Sequence, residues 1–487
     1  MSDTSTSLAV TRLRKAGQLR KLAPRLYTTN MTDSIESIVQ RNAWQIVGLL
    51  APGTVVGFRT AFEVKPADDG SIFVTGGYPR TLKLAGLTIR QQKGPGALPG
   101  DSPFLGNLYL ASQPRAFLEN LMPSREREGV ARTVARTALE ERLAKLAASG
   151  KPDVLNKLRD QARTIAPKLN AEDALSELNN LISGLHGSKP ARFASAVARA
   201  MGAGEPYDPK RVECFAKLFA DLQSTVFQNM PDSRGAGEPD RAFYNLAFFD
   251  AYFSNYIEGT KFEVDQAIDI VFNERIPSRR PADAHDVIGT YEVVGRLADI
   301  GRVPRTFEGL QSLLRERHRS IMSGRPDKRP GEFKEENNRV GSTVFVDHKL
   351  VNGTLKQGFD LYRSLEDPMA RALMIKFIVS EIHPFDDGNG RTARAMMNAD
   401  LITAEQRRII IPSVYRSEYL GGLKRLSNHQ ESEAYIRVMS YAQLFCSRID
   451  FADLASAEAT MRSCHAFEEP ADGVKLALPP KPAASAA

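Results

Sequence analysis

Cysteine is scarce: Cys214, Cys446 and Cys464 are the only three in 487 residues, and they lie far apart. They make neither a disulfide framework nor a zinc-ligand pattern. No apolar run approaches the roughly 20 residues that span a bilayer. No signal-type hydrophobic segment opens the chain. A membrane partner is therefore not expected, and the reducing cytoplasm is the expected setting. A strong excess of one charge is also missing. The formal charge of +7 permits a nucleic-acid partner without requiring one. What remains is a soluble globular composition, too long for one core, so two or three domains are expected.

The N-terminal stretch Leu8 to Gly17 reads as a short basic helix ending at Gly17. Gln18 to Tyr27 reads as a small β-element turning at Pro24. A helix followed by a basic hairpin is how a winged helix touches DNA. Arg12, Arg14, Lys15, Arg20, Lys21 and Arg25 are the candidate contacts to backbone phosphates, or else a solvated basic face. A complete helix-turn-helix needs at least one helix before these. Residues 53–93 alternate in short strand-like runs between Gly and Pro, which predicts a small α+β unit.

From about 110 to 235 the pattern is helical, with Leu139, Leu143, Leu175, Leu178 and Ile182 as core stripes. Asp240 to Glu258 reads as one unusually aromatic helix, capped at Gly259 and buried against something substantial. Ser254 and Glu258 share a face. Glu258 either meets a cation or sits on a solvated rim. His285 and His318 have no ligand-spaced neighbours and read as structural or surface histidines. Gly341 to His348 reads as a turn and short strand whose edge could pair with an extended peptide. Its residues are Thr343, Val344, Phe345, Val346, Asp347 and His348.

The chemistry concentrates between His383 and Arg394, in His-Pro-Phe-Asp-Asp-Gly-Asn-Gly-Arg-Thr-Ala-Arg. A helix delivers His383, Pro384 marks its end, and a second helix starts near Gly390. Gly388, Asn389 and Gly390 should turn backbone N–H groups inward at that helix start, as an anion nest. Arg391 and Arg394 can each fork onto a phosphate. Asp387, acidic among anion-binding groups, suits Mg²⁺ bridging phosphate oxygens. His383, as neutral imidazole, can accept a proton from an attacking hydroxyl. With no carboxylate at short range, its tautomer must be set by backbone or packing. Phe385 should pin the loop to the core.

This stretch resembles the Fic (Fic/DOC) family signature at every catalytic position, and the likeness covers roughly 240–450. It implies a mainly helical fold with a β-hairpin flap, and transfer of AMP from ATP to a Ser, Thr or Tyr hydroxyl of a target protein. By that resemblance His383 is the general base and Asp387 holds Mg²⁺. Gly388, Asn389 and Gly390 cradle phosphates, Arg391 reaches the β-phosphate region, and Arg394 clasps the γ-phosphate. The strand at 343–348 is the target-registering flap. Lys334 stands where many members have arginine. Ser254, Glu258 and Gly259 resemble the inhibitory motif of members with an N-terminal inhibitory helix, which implies an ion pair between Glu258 and Arg394. Residues 1–120 resemble the front of abortive-infection antitoxins, through Leu19 to Tyr27 and Gly53 to Ala61; that implies a winged helix able to bind promoter DNA.

The expected layout is thus mainly α: an α+β domain at 1–109, a helical connecting region at 110–239, a Fic domain at 240–450 with an inhibitory helix at 240–259, and a disordered tail at 466–487. A homo-oligomer that tunes inhibition is an open expectation. Competing functions are removal of AMP, transfer of another nucleotide or a phosphate, and DNA-binding regulation.

Overall fold

A computed structural model describes residues 4–124, 129–148, 153–232, 239–341, 343–470 and 473–480. The chain divides into two compact units, Met1–Gly204 and Glu205–Ala487.

The first unit opens with a helix, Thr4–Lys15, and a hairpin of Arg20–Ala23 with Leu26–Thr28. The hairpin turns at Pro24 and Arg25, where Arg25 takes φ 63°. A six-stranded mixed sheet follows. Its central strand Ser71–Thr75 is buried on both faces, while Leu87–Gln92 alternates, with Leu87, Ile89 and Gln91 inward. That alternation is the signature of one covered face. Helices Gln113–Leu121, Arg136–Ala148, Val154–Leu169 and Glu172–Leu185 build a second core from Phe117, Leu139, Leu143, Leu158, Leu178 and Ile182.

The second unit is helical, and among the described residues no helix is long and apolar enough to cross a membrane. Two helices lie at its centre, Pro368–Ile382 and Asn389–Thr403. Asp367 caps the first by accepting the Ala370 N–H at 2.9 Å, and Pro368 at its start loses no bond. Leu373, Phe377 and Ile378 of this helix share a core with Met396 and Met397 of the second. The aromatic helix Arg241–Ile257 is capped by Asp240 through the Phe243 N–H. It ends in a Schellman turn: Gly259 at φ 96° donates to Tyr256 O and Thr260 donates to Asn255 O. That turn leaves Glu258 as the last residue before the chain reverses.

Two expected boundaries are corrected. The break falls after Gly204 rather than at 239/240. Helix Pro209–Ser224 places Cys214, Phe215, Leu218 and Leu222 in the core of the second unit, and Phe215 meets Phe377 edge to face at 5.9 Å. The tail is not uniformly disordered either. Phe467 packs against Phe253 at 5.0 Å, Leu476 is buried, and Arg448 holds Pro479 O. Residues 471–472 and 481–487 lie outside the described residues.

Candidate active site

Helix Pro368–Ile382 stops where Pro384 disfavours helical backbone in the residue before it. His383 turns into the left-handed region at φ 54°, and its N–H bonds Val379 O at 3.0 Å. Its Nδ1 lies 3.0 Å from Ser380 O. A carbonyl only accepts, so in the neutral ring Nδ1 carries the proton and Nε2 keeps a lone pair. The imidazole also stacks on Phe345, with ring centroids 3.7 Å apart and planes 6° from parallel. Backbone and packing together thus set the tautomer and the ring plane. Burial pushes the imidazole down to about 4, so the ring is neutral near pH 7.

Asn389 closes the loop with its side chain. Its Oδ1 accepts the Phe385 N–H and its Nδ2 donates to Phe385 O, both at 2.9 Å. Only the Asn389 backbone is left for an anion. Phe385 is buried and stacks on His318 at 3.7 Å and 2°. His318 Nδ1 accepts the Gly331 N–H at 2.9 Å, so its Nε2 donates to Asp387 O at 3.0 Å. His318 is therefore a second support of the loop, and a structural one. His318→Ala should cost about 2–4 kcal/mol through lost packing and two orphaned backbone groups. The check is a lowered melting temperature by scanning fluorimetry.

Gly388, at φ 70°, opens helix Asn389–Thr403. The Thr392 N–H makes the first helical bond, to Gly388 O. The N–H groups of Asn389, Gly390 and Arg391 remain as an anion site at a helix N-terminus. Asp387 borders it with a side chain 48% exposed; its Oδ1 accepts the Gly388 N–H at 2.6 Å. Among the described residues no group of three or more acids, histidines or cysteines could hold a metal alone. One half-exposed carboxylate fits Mg²⁺, which takes its other ligands from phosphate oxygens and water.

Arg391 is 3% exposed and pairs with Asp286 at 2.9 Å, with Asn255 Oδ1 at 3.2 Å. Asp286 is shared with Arg325 at 2.7 Å, and Arg391 Nη2 also lies 3.9 Å from Asp387 Oδ1. Arg391 thus ties this helix to helix Pro281–Val294 and the aromatic helix while staying beside the loop.

Arg394 meets the end of the aromatic helix. Its Nη2 pairs with Glu258 Oε1 at 2.7 Å and donates to Ser254 O at 2.9 Å, and its Nε donates to Ser254 Oγ at 2.8 Å. Burial opposes the charge on both partners. Their mutual attraction outweighs it, holding the Glu258 carboxyl below and the Arg394 guanidinium above their ordinary values. A Cβ on Gly390 would collide with the Glu258 carboxylate. The carboxylate therefore lies against the helix start itself, where an anion would bind.

The flap is shorter than expected. Strands Arg339–Val340 and Thr343–Val344 form a two-stranded hairpin, and Ser342 lies outside the described residues. Phe345 leaves the strand to stack on His383, and Val346 is buried. Asp347 caps a short turn through the Lys349 N–H, and His348 bonds Asn337. The hairpin is fastened to the loop from below. Lys334 N–H donates to Pro384 O at 2.8 Å, and Asn338 Nδ2 to Phe385 O at 2.8 Å. Lys334 Nζ bonds Asn338 Oδ1 at 2.7 Å, and burial lowers its ammonium to about 8.

Residues 310–401 match the model of the Fic/DOC family. The chain carries a Fic/DOC family domain. It is 27% identical over 205 residues to the protein adenylyltransferase Fic of Drosophila mojavensis, covering 41% of this chain and 40% of that protein. It is likewise 27% identical over 238 residues to that of Drosophila melanogaster, covering 48% and 46%. The chain thus spans less than half the length of these curated relatives. Fic-1 of C. elegans (residues 134–508) aligns at 18% identity over 68% of this chain and 99% of that structure, with a TM-score of 0.36. IbpAFic2 (H3717A) in complex with adenylylated Cdc42 aligns at 16% identity over 63% and 94%, with a TM-score of 0.31.

The matched part of the Fic domain contains His383, the nest and Arg394, but not Glu258. Sequence reasoning missed Phe345 as the ring over His383, His318 beneath Phe385, and Asp286 as the partner of Arg391. Each acts across a long sequence separation and has no local pattern to announce it. In the first unit, Arg12, Arg14 and Lys15 are exposed on helix Thr4–Lys15, and Lys21 and Arg25 on the hairpin. Arg20 is half-buried and donates to Asp33 O at 2.7 Å.

Proposed function

We propose that this chain transfers AMP from ATP to a Ser, Thr or Tyr hydroxyl of a protein, and that Glu258 holds the transfer off. The observation that carries this reading is the Glu258 carboxylate lying against Gly390 and paired with Arg394, as an internal anion on an anion site. The identity to adenylyltransferases supports the type of reaction.

His383 Nε2, with its lone pair free, accepts the proton of the target hydroxyl. The hydroxyl oxygen attacks the α-phosphorus, the bond to the bridging oxygen breaks, and pyrophosphate leaves. The N–H groups at the start of helix Asn389–Thr403 bind phosphate oxygens. Asp387 would hold Mg²⁺, which supplies neutralising charge to those oxygens when bound. Arg394, once free of Glu258, binds the terminal phosphate. Arg391 keeps the helix in place.

The test is incubation with Mg²⁺ and ATP labelled at either the α- or the γ-phosphate. Label from the α position alone should enter protein. Label from the γ position would mean phosphate transfer and overturn the reading, and UTP outcompeting ATP would reassign the nucleotide. The pH dependence follows from His383. Protonation removes the Nε2 lone pair, and burial places that event near pH 4 rather than at the ordinary 6.5. Transfer should therefore stay flat from pH 8 down to about 5.5 and fall only below that. Initial rates across this range check it, and a midpoint near 6.5 would contradict it.

A second reading has its own observation. Glu258 hydrogen-bonds through Oε1 alone among the described residues, and its side chain is 32% exposed. Its other oxygen is free to orient a water, which would let the same site remove AMP from a modified protein. Loss of hydrolysis with gain of transfer on changing Glu258 would favour it.

A further inference from the structure

The aromatic helix Arg241–Ile257 is engaged on two sides. Asp250, Ser254 and Glu258 recur every four residues and so lie along one side. All three meet helix Asn389–Thr403. Asp250 Oδ2 accepts Asn398 Nδ2 at 2.9 Å, and Ser254 and Glu258 accept from Arg394. Phe249, Tyr252, Phe253 and Tyr256 recur at i, i+3, i+4 and i+7 and line another side. The segment after helix Leu454–Ser463 covers that side, and it lies beyond the region that matches the family model.

Phe467 makes the apolar part of this contact. Its ring centroid lies 5.0 Å from that of Phe253, 5.7 Å from that of Tyr252 and 6.3 Å from that of Phe249. Ala466 just before it is buried, and its O accepts the Ser413 N–H at 2.9 Å. Glu469 makes the polar part. Its carboxylate accepts from both the Tyr256 hydroxyl and the Lys261 ammonium. Those donors stand two residues before and three after Glu258, so one carboxylate spans the turn that carries the glutamate. A helix end leaves carbonyls without intrahelical partners and frays unless it is held. The aromatic helix has no basic residue of its own in its last turn. The holding groups come from elsewhere: Glu469 on one side, and Arg416 Nε donating to Ile257 O at 3.0 Å.

We infer that residues 465–469 are a clamp, with Phe467 and Glu469 as positioning residues that keep the Glu258 carboxylate on Arg394. Phe467 presses the aromatic side of the helix, which seats the Asp250–Ser254–Glu258 side on helix Asn389–Thr403. Glu469 fixes the turn on which Glu258 stands. Loosening either lets the carboxylate leave the anion site with no change in the site itself. The ring contacts supply most of the hold, because Glu469 and Lys261 are 58% and 52% exposed and an exposed ion pair contributes little. The activity readout rests on the inhibited-transfer reading, but the hold on the helix end does not.

The experiment uses the full chain with Mg²⁺ and α-labelled ATP. With Glu258 in place, Phe467→Ala should raise incorporation of AMP about fivefold. Glu469→Lys, which repels Lys261, should raise it about threefold. In the Glu258→Gly background both should stay within about 1.5-fold of the parent, because the group they position is gone. A merely structural role would lower the rate in both backgrounds alike. Lys261→Glu combined with Glu469→Lys rebuilds the ion pair with its polarity reversed, and the Tyr256 hydroxyl can accept as well as donate. Inhibition should return in that double variant. Hydrogen exchange reads the turn without substrate. The Gly259 and Thr260 amides, bonded to Tyr256 O and Asn255 O, should exchange about threefold faster or more in either single variant, with helix Pro368–Ile382 unchanged. If Phe467→Ala unfolds the chain, Glu469→Lys and its charge-swapped rescue decide alone. Equal effects in both backgrounds, unchanged labelling with Glu258 in place, or failure of the charge swap to restore inhibition would overturn the coupling to Glu258. Unchanged exchange at both amides would overturn the hold on the turn. No labelling even with Glu258→Gly would count against adenylyl transfer itself, leaving the exchange result to judge the clamp.

Discussion

Glu258→Gly should raise incorporation of AMP into protein about a hundredfold over the unmodified chain. Arg394 makes one strong contact to a charge, the 2.7 Å pair with Glu258, and its other bonds go to the neutral groups of Ser254 and Tyr419. Breaking a buried pair by removing one partner costs about 3–5 kcal/mol. Glu258 is 32% exposed, so the figure for this pair falls just below that range. About 2.7 kcal/mol of released binding energy corresponds to the hundredfold expected. The substitution also clears the space beside Gly390. It is conformationally mild, because Glu258 closes the aromatic helix just before the Schellman turn and glycine is tolerated at helix C-termini. Glu258→Gln, which keeps an acceptor for Arg394 without the charge, should give an intermediate gain. Labelling rates with α-labelled ATP decide it, and a rise under threefold would remove Glu258 as the inhibitory group.

His383→Asn in the Glu258→Gly background should lower the rate roughly 10³-fold, more than cancelling that gain and within the usual range for a general base. Asparagine is the informative replacement. His383 sits at φ 54°, a conformation that asparagine tolerates and alanine resists. Loop collapse is thereby separated from loss of the proton acceptor. ATP affinity should be unchanged, since the nest and Arg394 are untouched. Activity within tenfold of the parent would sink the base assignment.

The acid limb of the pH profile and the His383→Asn variant address the same atom from two sides. A base buried under Phe345 titrates low, and its removal flattens the low-pH fall as well as the rate. If the fall below pH 5.5 persisted in His383→Asn, another group would be responsible for it.

Local rules reached far into this site. The helix expected to deliver His383 is there as Pro368–Ile382, and its Leu373, Met374, Phe377 and Ile378 are all buried. Pro384 marked its end, and the helix stops at Ile382. The glycine at 259 marked the end of the aromatic helix, and it takes positive φ there. These features depend on neighbours a few residues away, so the chain spells them out. Composition misled at the tail, where small residues and prolines suggested disorder. Arg448 and Tyr441 hold the backbone of Pro479 and Leu476 instead.

The sequence by itself determined the chemical inventory: a histidine, an aspartate, a glycine-rich turn and two arginines within twelve residues, and a glutamate on an aromatic helix elsewhere. Only the tertiary structure decided how that inventory is spent. It set Arg391 against Asp286 and Arg394 against Glu258. It laid Phe345 over His383, His318 under Phe385, and Phe467 against the aromatic helix. The reason is physical: a charge or ring is committed by whichever partner the packed core brings within a few ångströms, and those partners come from parts of the chain that no local pattern connects.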